Sequence, residues 1–293
     1  MTRLVPDRFV LLLLGAVLVG WLLPVSGTGF DVARDVSFAG IFALFFLHGL
    51  KLPRHEVAAA MKGWRVQGAM LAFTFVAMPL LGLALAQGAK LLLPEALAIG
   101  LLFTAILPST AQSAISYTSL ARGNVAASVV GAALSNLAGI MLTPLLFVLL
   151  LGAAGASVGT DAIMRIATML LLPFVLGQMM QRWFGAWAAR QKSLLTMFDR
   201  GVILLAVYVA FSSAVSGGAL SVISLPSLLI LLLLAALFLA AAFAGAWGLG
   251  LALRFARGDR ISLLFAGAHK GIVTGAPMAA LLFPAEVAGL MIL

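Results

Sequence analysis

The stretch Ala266-Gly267-Ala268-His269-Lys270-Gly271-Ile272-Val273-Thr274-Gly275-Ala276-Pro277 places a cation, an imidazole and three glycines inside an otherwise apolar segment. An ionisable side chain at membrane depth is costly, and it therefore indicates a functional site. The glycines and the proline predict a broken helix, which a bilayer tolerates only where the backbone lines a cavity or is buried in protein. A second polar interruption, Leu107-Pro108-Ser109-Thr110-Ala111-Gln112-Ser113, lies five apolar segments earlier. Together the two interruptions predict a transporter.

The composition restricts the chain to one broad class of protein. Of its 293 residues, 63% are hydrophobic and only 9% are charged, whereas soluble domains carry roughly 25% charged residues. The sequence therefore predicts an all-α polytopic membrane protein that forms a single transmembrane domain over residues 1–293. The net charge of +9 does not indicate a nucleic-acid partner, because the cations lie at the ends of the apolar segments.

Several kinds of chemistry are disfavoured by the residues that are missing. The chain has no cysteine, which excludes disulfides, thiol nucleophiles and cysteine metal sites. All nine acidic residues map to loops or segment ends. With neither a mid-membrane acid nor a histidine pair at ligand spacing, we expect no enzymatic activity and no bound cofactor.

Prolines, glycines and charges divide the chain into nine predicted membrane segments, of which the fourth and the ninth are interrupted. Their predicted bounds are approximately 9–24, 34–50, 64–87, 96–120, 124–151, 162–184, 200–216, 226–255 and 260–283.

The distribution of lysine and arginine predicts the orientation in the membrane. With a cytoplasmic N-terminus, 14 of the 18 Lys and Arg residues fall in inner loops. Only Arg34, Lys90 and Arg165 fall outside, and Lys270 is intramembrane. This asymmetry follows the positive-inside rule, and a bacterial inner membrane is the expected location.

The order of the segments indicates an internal repeat. The first five segments, about residues 1–152, and the later ones, about 161–293, each contain a broken fourth member. An odd number of segments per half inverts the second half, an arrangement that recurs in secondary transporters with a midplane site. A tenth helix is then expected. Residues 286–293 are interpreted as its first turns, so the sequence is expected to be incomplete at its C-terminus.

Hydroxyl and amide side chains are concentrated between Pro108 and Asn136. Such groups at membrane depth can coordinate a small cation or bind a polar solute, although a single serine or threonine more often bonds a neighbouring helix. Beside a helix break, the tract as a whole is predicted to form a site.

The same region carries a family resemblance. Leu107-Pro108-Ser109-Thr110, followed by Ala121-Arg122-Gly123-Asn124-Val125-Ala126 and Leu142-Thr143-Pro144-Leu145, resembles the crossing-helix region of the bile acid:sodium symporter superfamily, solute carrier family 10. Phe45-Phe46-Leu47-His48-Gly49-Leu50-Lys51-Leu52 resembles its SBF-like branch. The resemblance implies ten helices in two inverted five-helix repeats. It also implies a panel domain beside a core domain that carries crossed, discontinuous helices 4 and 9.

The sodium ligands of that superfamily carry over only in part. Ser128 matches the fifth-helix serine, but Ala132 replaces the threonine one turn later. Gln112, Ser113 and Ser116 compete as counterparts on the fourth helix. On the ninth helix the acidic residue is missing, and His269-Lys270 stands in its neighbourhood, followed by Gly271 where the SBF-like branch often has serine.

Lys270 admits several interpretations. Sodium favours oxygen ligands with a formal negative charge among them, so a lysine in the same pocket would repel it. The ammonium could replace the cation, exchange a proton, or bind an anionic substrate with help from half-helix N-termini. Alternatively, Lys270 snorkels to an interface. The coupling ion is left open between sodium and a proton.

The leading hypothesis is a secondary active transporter that moves a small organic anion by alternating access, with sodium coupling in doubt. The alternative is a non-transporting membrane regulator of calcium homeostasis on the same fold. The expected partners are the lipid bilayer and the solute. The residues predicted to bind the solute or an ion are Ser109, Thr110, Gln112, Ser113, Ser116, Asn124, Ser128, His269, Lys270 and Thr274, with Ser113 and Ser128 as candidate sodium ligands.

Overall fold

The computed structural model describes residues 8–51, 63–153, 164–219 and 223–291, which are helical with short links and contain no strand. The helices are α1 (Arg8–Leu22), α2 (Gly27–Lys51), α3 (Trp64–Ala89), α4 (Glu95–Ile106), α5 (Ala111–Leu120), α6 (Val125–Ala153), α7 (Met164–Arg190), α8 (Lys192–Ser216), α9 (Leu225–Ala252), α10 (Arg257–Ala268), α11 (Ile272–Leu282) and α12 (Ala285–Ala288).

Five of these helices, α3 and α6 to α9, are long and apolar enough to cross a membrane. A sixth span is obtained when α4 and α5, which bend by 65° at their junction, are taken together. The chain is therefore an integral, all-helical membrane protein. The predicted count of nine spans stays a prediction.

Some helices extend beyond their predicted bounds. Helix α2 begins at Gly27, not near residue 34. In its first turns Arg34 lies 3.2 Å from Asp31, one turn earlier, and this pairing suits an aqueous helix end. Helices α7 and α8 are separated only by Gln191.

Two prolines inside spans follow π-helical turns. In α3 the turn covers Phe73–Ala77 and precedes Pro79, and in α7 it covers Ala167–Leu171 and precedes Pro173. Proline lacks an N–H and cannot complete the helical ladder, so a wider turn is one way for the backbone to adjust.

The chain divides into two compact units. The first unit comprises Met1–Leu52, Thr160–Val222 and Ala276–Leu293, and the second comprises Pro53–Gly159 and Ile223–Gly275. Each unit therefore draws on both predicted repeats. Repeat symmetry and the single-domain assignment stay predictions.

In the first unit, glycines bring α2 and α7 into close contact. A Cβ at Gly49 would meet the Phe174 carbonyl, and a Cβ at Gly177 would meet the Phe46 carbonyl. Small residues allow such backbone approach within membranes. Near the same end, Lys51 pairs with Asp199 of α8 at 2.7 Å.

The second unit contains both helix breaks and has its own apolar core. Phe73 and Met78 of α3 pack with Phe238 and Ala242 of α9 and with Leu263 of α10. This core fixes α10, and with it the residues that follow α10, against α3.

Candidate solute site at two helix breaks

Both interrupted segments predicted from the sequence are broken in the structure. The first break, residues 107–110, separates α4 from α5, and the second break, residues 269–271, separates α10 from α11. Leu107 adopts an extended conformation with ψ of 153°, as expected for a residue before proline. At the second break, His269, Lys270 and Gly271 are all non-helical.

The two breaks hydrogen-bond to each other. The Gly271 N–H donates to the Pro108 carbonyl at 2.8 Å. The Thr110 hydroxyl donates to the Lys270 carbonyl at 2.6 Å. Backbone groups that lost their helical partners thereby find partners across the site, which is how irregular backbone is tolerated at membrane depth.

The Lys270 ammonium is bound by main-chain oxygens. Its Nζ donates to the Leu107 carbonyl at 2.8 Å and to the Thr74 carbonyl at 3.0 Å. The geometry therefore does not support snorkelling toward an interface. Among the described residues of the second unit the only carboxylates are Glu95, which lies 4.0 Å from Lys90, and Asp259, which accepts from Asn124.

Thr74 was not predicted from the sequence, and the π-helical turn explains its role. Within this turn the Met78 N–H bonds to the carbonyl of Phe73, five residues earlier. The next N–H in that register would bond Thr74, but residue 79 is proline. The Thr74 carbonyl is thus left free for Lys270, while its hydroxyl donates to the Gly267 carbonyl at 3.2 Å. A buried threonine five residues before an in-span proline was the available signal.

Helix α6 supports the first break from one side. Ser109 donates its N–H to the Ser135 hydroxyl, and its carbonyl accepts from the Asn136 amide, both at 2.9 Å. A Cβ at Gly139 would lie 2.7 Å from the Pro108 ring. Ser135 and Asn136 belong to the predicted polar tract, and in the structure they bind the backbone of the first break.

Two polar atoms at the breaks have no hydrogen-bond partner within the described residues. One is the Ser109 hydroxyl, which is fully buried, and the other is Nδ1 of His269. The His269 ring packs against Tyr117, Phe243 and Phe265, with centroid separations of 5.4 to 5.8 Å. Each of these two atoms can make one hydrogen bond to a bound polar molecule, the hydroxyl as donor or acceptor and the imidazole nitrogen as donor in the tautomer that carries its proton there.

Other predicted residues lie on the first turns of the half-helices. Thr274 is buried and donates to the Gly271 carbonyl at 3.3 Å. On α5, Gln112 and Ser116 are exposed and Ser113 is half-buried. The structure thus places Ser109, Thr110, His269 and Lys270 in the two breaks, Thr274 on the first turn of α11, and the other three residues on α5.

Asn124 and Ser128 lie elsewhere. Asn124 caps α6 by accepting from the Ala127 N–H and donates to Asp259 at 2.8 Å. Ser128 is fully buried, with its hydroxyl 3.2 Å from that of Thr118. Both are at the far end of α5, whose ten residues at 1.5 Å each separate that end from the first break by about 15 Å. The structure therefore does not bring these two together with Lys270.

The electrostatics of the breaks favour negative charge. Helices α5 and α11 begin there, and their first N–H groups have no intrahelical partner. Such helix starts carry partial positive charge and are ready anion sites. The carbonyl ends of α4 and α10 also converge, but Lys270 and Thr74 occupy acceptors there. In the described part of the chain no cluster of His, Cys, Asp or Glu could hold a metal ion.

Broken helices that meet within a polytopic helical protein define a class, the membrane transporters with discontinuous helices. Comparison with known proteins agrees with this class. Residues 7–293 match the SBF-like CPA transporter family, and the chain belongs to that family.

Its relatives include bacterial and vertebrate proteins. Protein PA2026 of Pseudomonas aeruginosa is 44% identical over 99% of this chain and 88% of its own length. The protein of Escherichia coli K12 named "Putative symporter YfeH" is 38% identical over 98% of this chain and 86% of its own length. The sodium/bile acid cotransporter 7 of Mus musculus is 25% identical over 88% of this chain and 77% of its own length.

Proposed function

We propose that the protein is a secondary active transporter of a small organic anion. The observation that carries the proposal is the position of Lys270, whose ammonium is held by two backbone carbonyls at the junction of two broken helices. Alternating access would expose these breaks to each side of the membrane in turn. The names of two relatives, one a putative symporter and the other a cotransporter, support coupled transport.

The anionic character of the solute follows from the charges at the breaks. A carboxylate near the starts of α5 and α11 would meet unpaired backbone N–H groups and a nearby cation. The Ser109 hydroxyl and His269 Nδ1 would supply further hydrogen bonds. A cationic solute would find no carboxylate among the described residues at these breaks to offset its desolvation.

We infer that Lys270 replaces the coupling cation and that transport does not require sodium. Its Nζ binds carbonyl oxygens, the kind of ligand that sodium would use. A sodium ion beside this ammonium would meet unfavourable repulsion. The candidate sodium ligand Ser128 lies at the far end of α5, about 15 Å from the first break, which favours the same conclusion. A proton exchanged at Lys270 is the coupling ion that remains.

The same proposal includes the membrane arrangement expected from the sequence. We infer two inverted repeats, about 1–152 and 161–293, with crossed helices at the breaks and the N-terminus in the cytoplasm of a bacterial cell. The division into two units that each draw on both halves supports such an arrangement.

The test uses thermal stability of the purified protein in detergent, since a ligand of the folded state raises apparent stability. Potassium salts of pyruvate, succinate, glutamate and taurocholate serve as probes, against potassium chloride and sodium chloride. We expect at least one of these organic anions to stabilise the wild type but not Lys270→Ala, and sodium chloride to act like potassium chloride.

Two results would contradict the proposal in different ways. Stabilisation by sodium chloride alone would reveal a sodium site that survives without a carboxylate. Absence of any anion effect, together with absence of saturable uptake into vesicles that depends on Lys270, would favour the non-transporting regulator.

A further inference from the structure

Within the described residues, one end of the second unit carries five arginines, here termed the arginine face. Its members are Arg65, Arg122, Arg254, Arg257 and Arg260. Hydrogen bonds join the segments that carry them. The Asn124 N–H donates to the Gly258 carbonyl at 3.0 Å, and Ser262 donates to the Asn124 carbonyl at 2.7 Å. The α5–α6 link and the start of α10 therefore form one surface.

Two of these arginines occupy a backbone conformation that suits glycine. Arg122 has φ of 57° and Arg254 has φ of 56°, and each ends a helix in a Schellman motif. A side chain is strained there, whereas glycine would not be. If only positive charge at this end of the unit were required, arginines at neighbouring positions without backbone strain would supply it. The pair therefore suggests a role that depends on these two positions.

Among the described residues, the carboxylates leave the arginine face largely unneutralised. In the described part of the chain, the carboxylate at this end is Asp259, and it accepts from the Asn124 amide at 2.8 Å. Arg122, Arg254 and Arg257 are exposed. Several guanidinium groups without carboxylate partners form a surface that suits phosphate.

Aromatic contacts indicate the depth of this surface in the membrane. The Arg260 guanidinium lies 5.0 Å from the Trp247 ring, and that of Arg65 lies 6.0 Å from the Phe255 ring. Trp64, beside Arg65, is 70% exposed. Tryptophan at segment ends is typical of the headgroup region. Arginine side chains at this depth lie closer to the phosphate groups of lipids than to phosphate in solution.

We propose that the arginine face binds the phosphate of anionic phospholipids, with Arg122 and Arg254 as principal contacts. The site is separate from the helix breaks and does not depend on the transported solute. Because it joins the α5–α6 link to the start of α10, a bound headgroup would stabilise the second unit.

The experiment measures the apparent melting temperature of the purified full-length protein in neutral detergent. The probes are dioleoyl-phosphatidylglycerol, dioleoyl-phosphatidylcholine and inorganic phosphate at equal phosphate concentration. The test variant is Arg122→Gly/Arg254→Gly, in which glycine relieves the strained backbone, with Arg122→Asn/Arg254→Asn as a second version. The matched control, Arg190→Gln/Lys192→Gln, removes two exposed cations from the first unit.

We expect phosphatidylglycerol to raise the melting temperature of the wild type and of the control above the value in phosphatidylcholine. In both test variants the shift should fall at least twofold. In phosphatidylcholine the glycine variant should melt no lower than the wild type, which verifies its fold. Equal shifts in test and control variants, or no shift in the wild type, would overturn the proposal. If inorganic phosphate raised the melting temperature as much as phosphatidylglycerol does, the ligand would be a soluble anion, and the proposal would also be overturned.

Discussion

Lys270 shows how a charged side chain is accommodated beside apolar spans. Its ammonium donates to the Leu107 and Thr74 carbonyls in place of the backbone N–H groups that these carbonyls lack. The sequence drew attention to this residue because an ionisable side chain is costly inside an apolar stretch. It did not identify Thr74, since the free carbonyl depends on a π-helical register that only the folded α3 reveals.

Replacing Lys270 by methionine should therefore destabilise the protein. Both carbonyls would be left without a donor, which we expect to lower the free energy of unfolding by about 2–4 kcal/mol. Denaturation in mixed micelles measures the change. Lys192→Met, at an exposed position, should stay within about 0.5 kcal/mol of the wild type. Equal stability of the two variants would mean that other donors satisfy the carbonyls.

Two serines of the polar tract should differ in how far their replacement by alanine lowers the free energy of unfolding. Ser135→Ala leaves the buried Ser109 N–H without its acceptor and should cost about 1–3 kcal/mol. Ser116→Ala, on the exposed face of α5, should have an effect below about 0.5 kcal/mol. If Ser116→Ala proves the more damaging change, the support of the first break by α6 is wrong.

At the scale of elements, the helix breaks were predictable and the helix contacts were not. Proline and glycine act locally, so the interruptions near Pro108 and Gly271 could be predicted from the sequence. The close approach of α2 and α7 depends on Gly49 and Gly177 lying opposite backbone carbonyls of the partner helix. In a sequence with 30 glycines, nothing marks these two as contact residues.

Adding a methyl group at this contact should separate α2 from α7. Gly177→Ala would place its Cβ against the Phe46 carbonyl, and we expect a loss of about 1–3 kcal/mol in the free energy of unfolding. Gly15→Ala, where the added Cβ meets no atom within 4 Å, should instead stabilise α1 by about 0.5–1 kcal/mol. A neutral Gly177→Ala would show that the two helices can separate without cost.

At the scale of the whole molecule, the absence of cysteine allows the orientation to be tested directly. Leu91→Cys lies in the link between α3 and α4, where Leu91 is 86% exposed, and Lys192→Cys lies at the exposed start of α8. The positive-inside rule predicts that an impermeant maleimide labels the first variant in intact spheroplasts. It should label the second only after lysis. Labelling of Lys192→Cys in intact spheroplasts, and of Leu91→Cys only after lysis, would show that the orientation is opposite to the one proposed.

The sequence by itself determined the class of protein, the two helix breaks and the presence of Lys270 at one of them. These depend on composition and on local effects of proline, glycine and charge, which act within a few residues. The tertiary structure decided which polar residues meet. It placed Ser109, Thr110 and Lys270 together, brought in Thr74 from α3, and located Asn124 and Ser128 at the far end of α5. Helix packing settles such pairings, because residues distant in the chain share a site only once the helices carrying them are in contact.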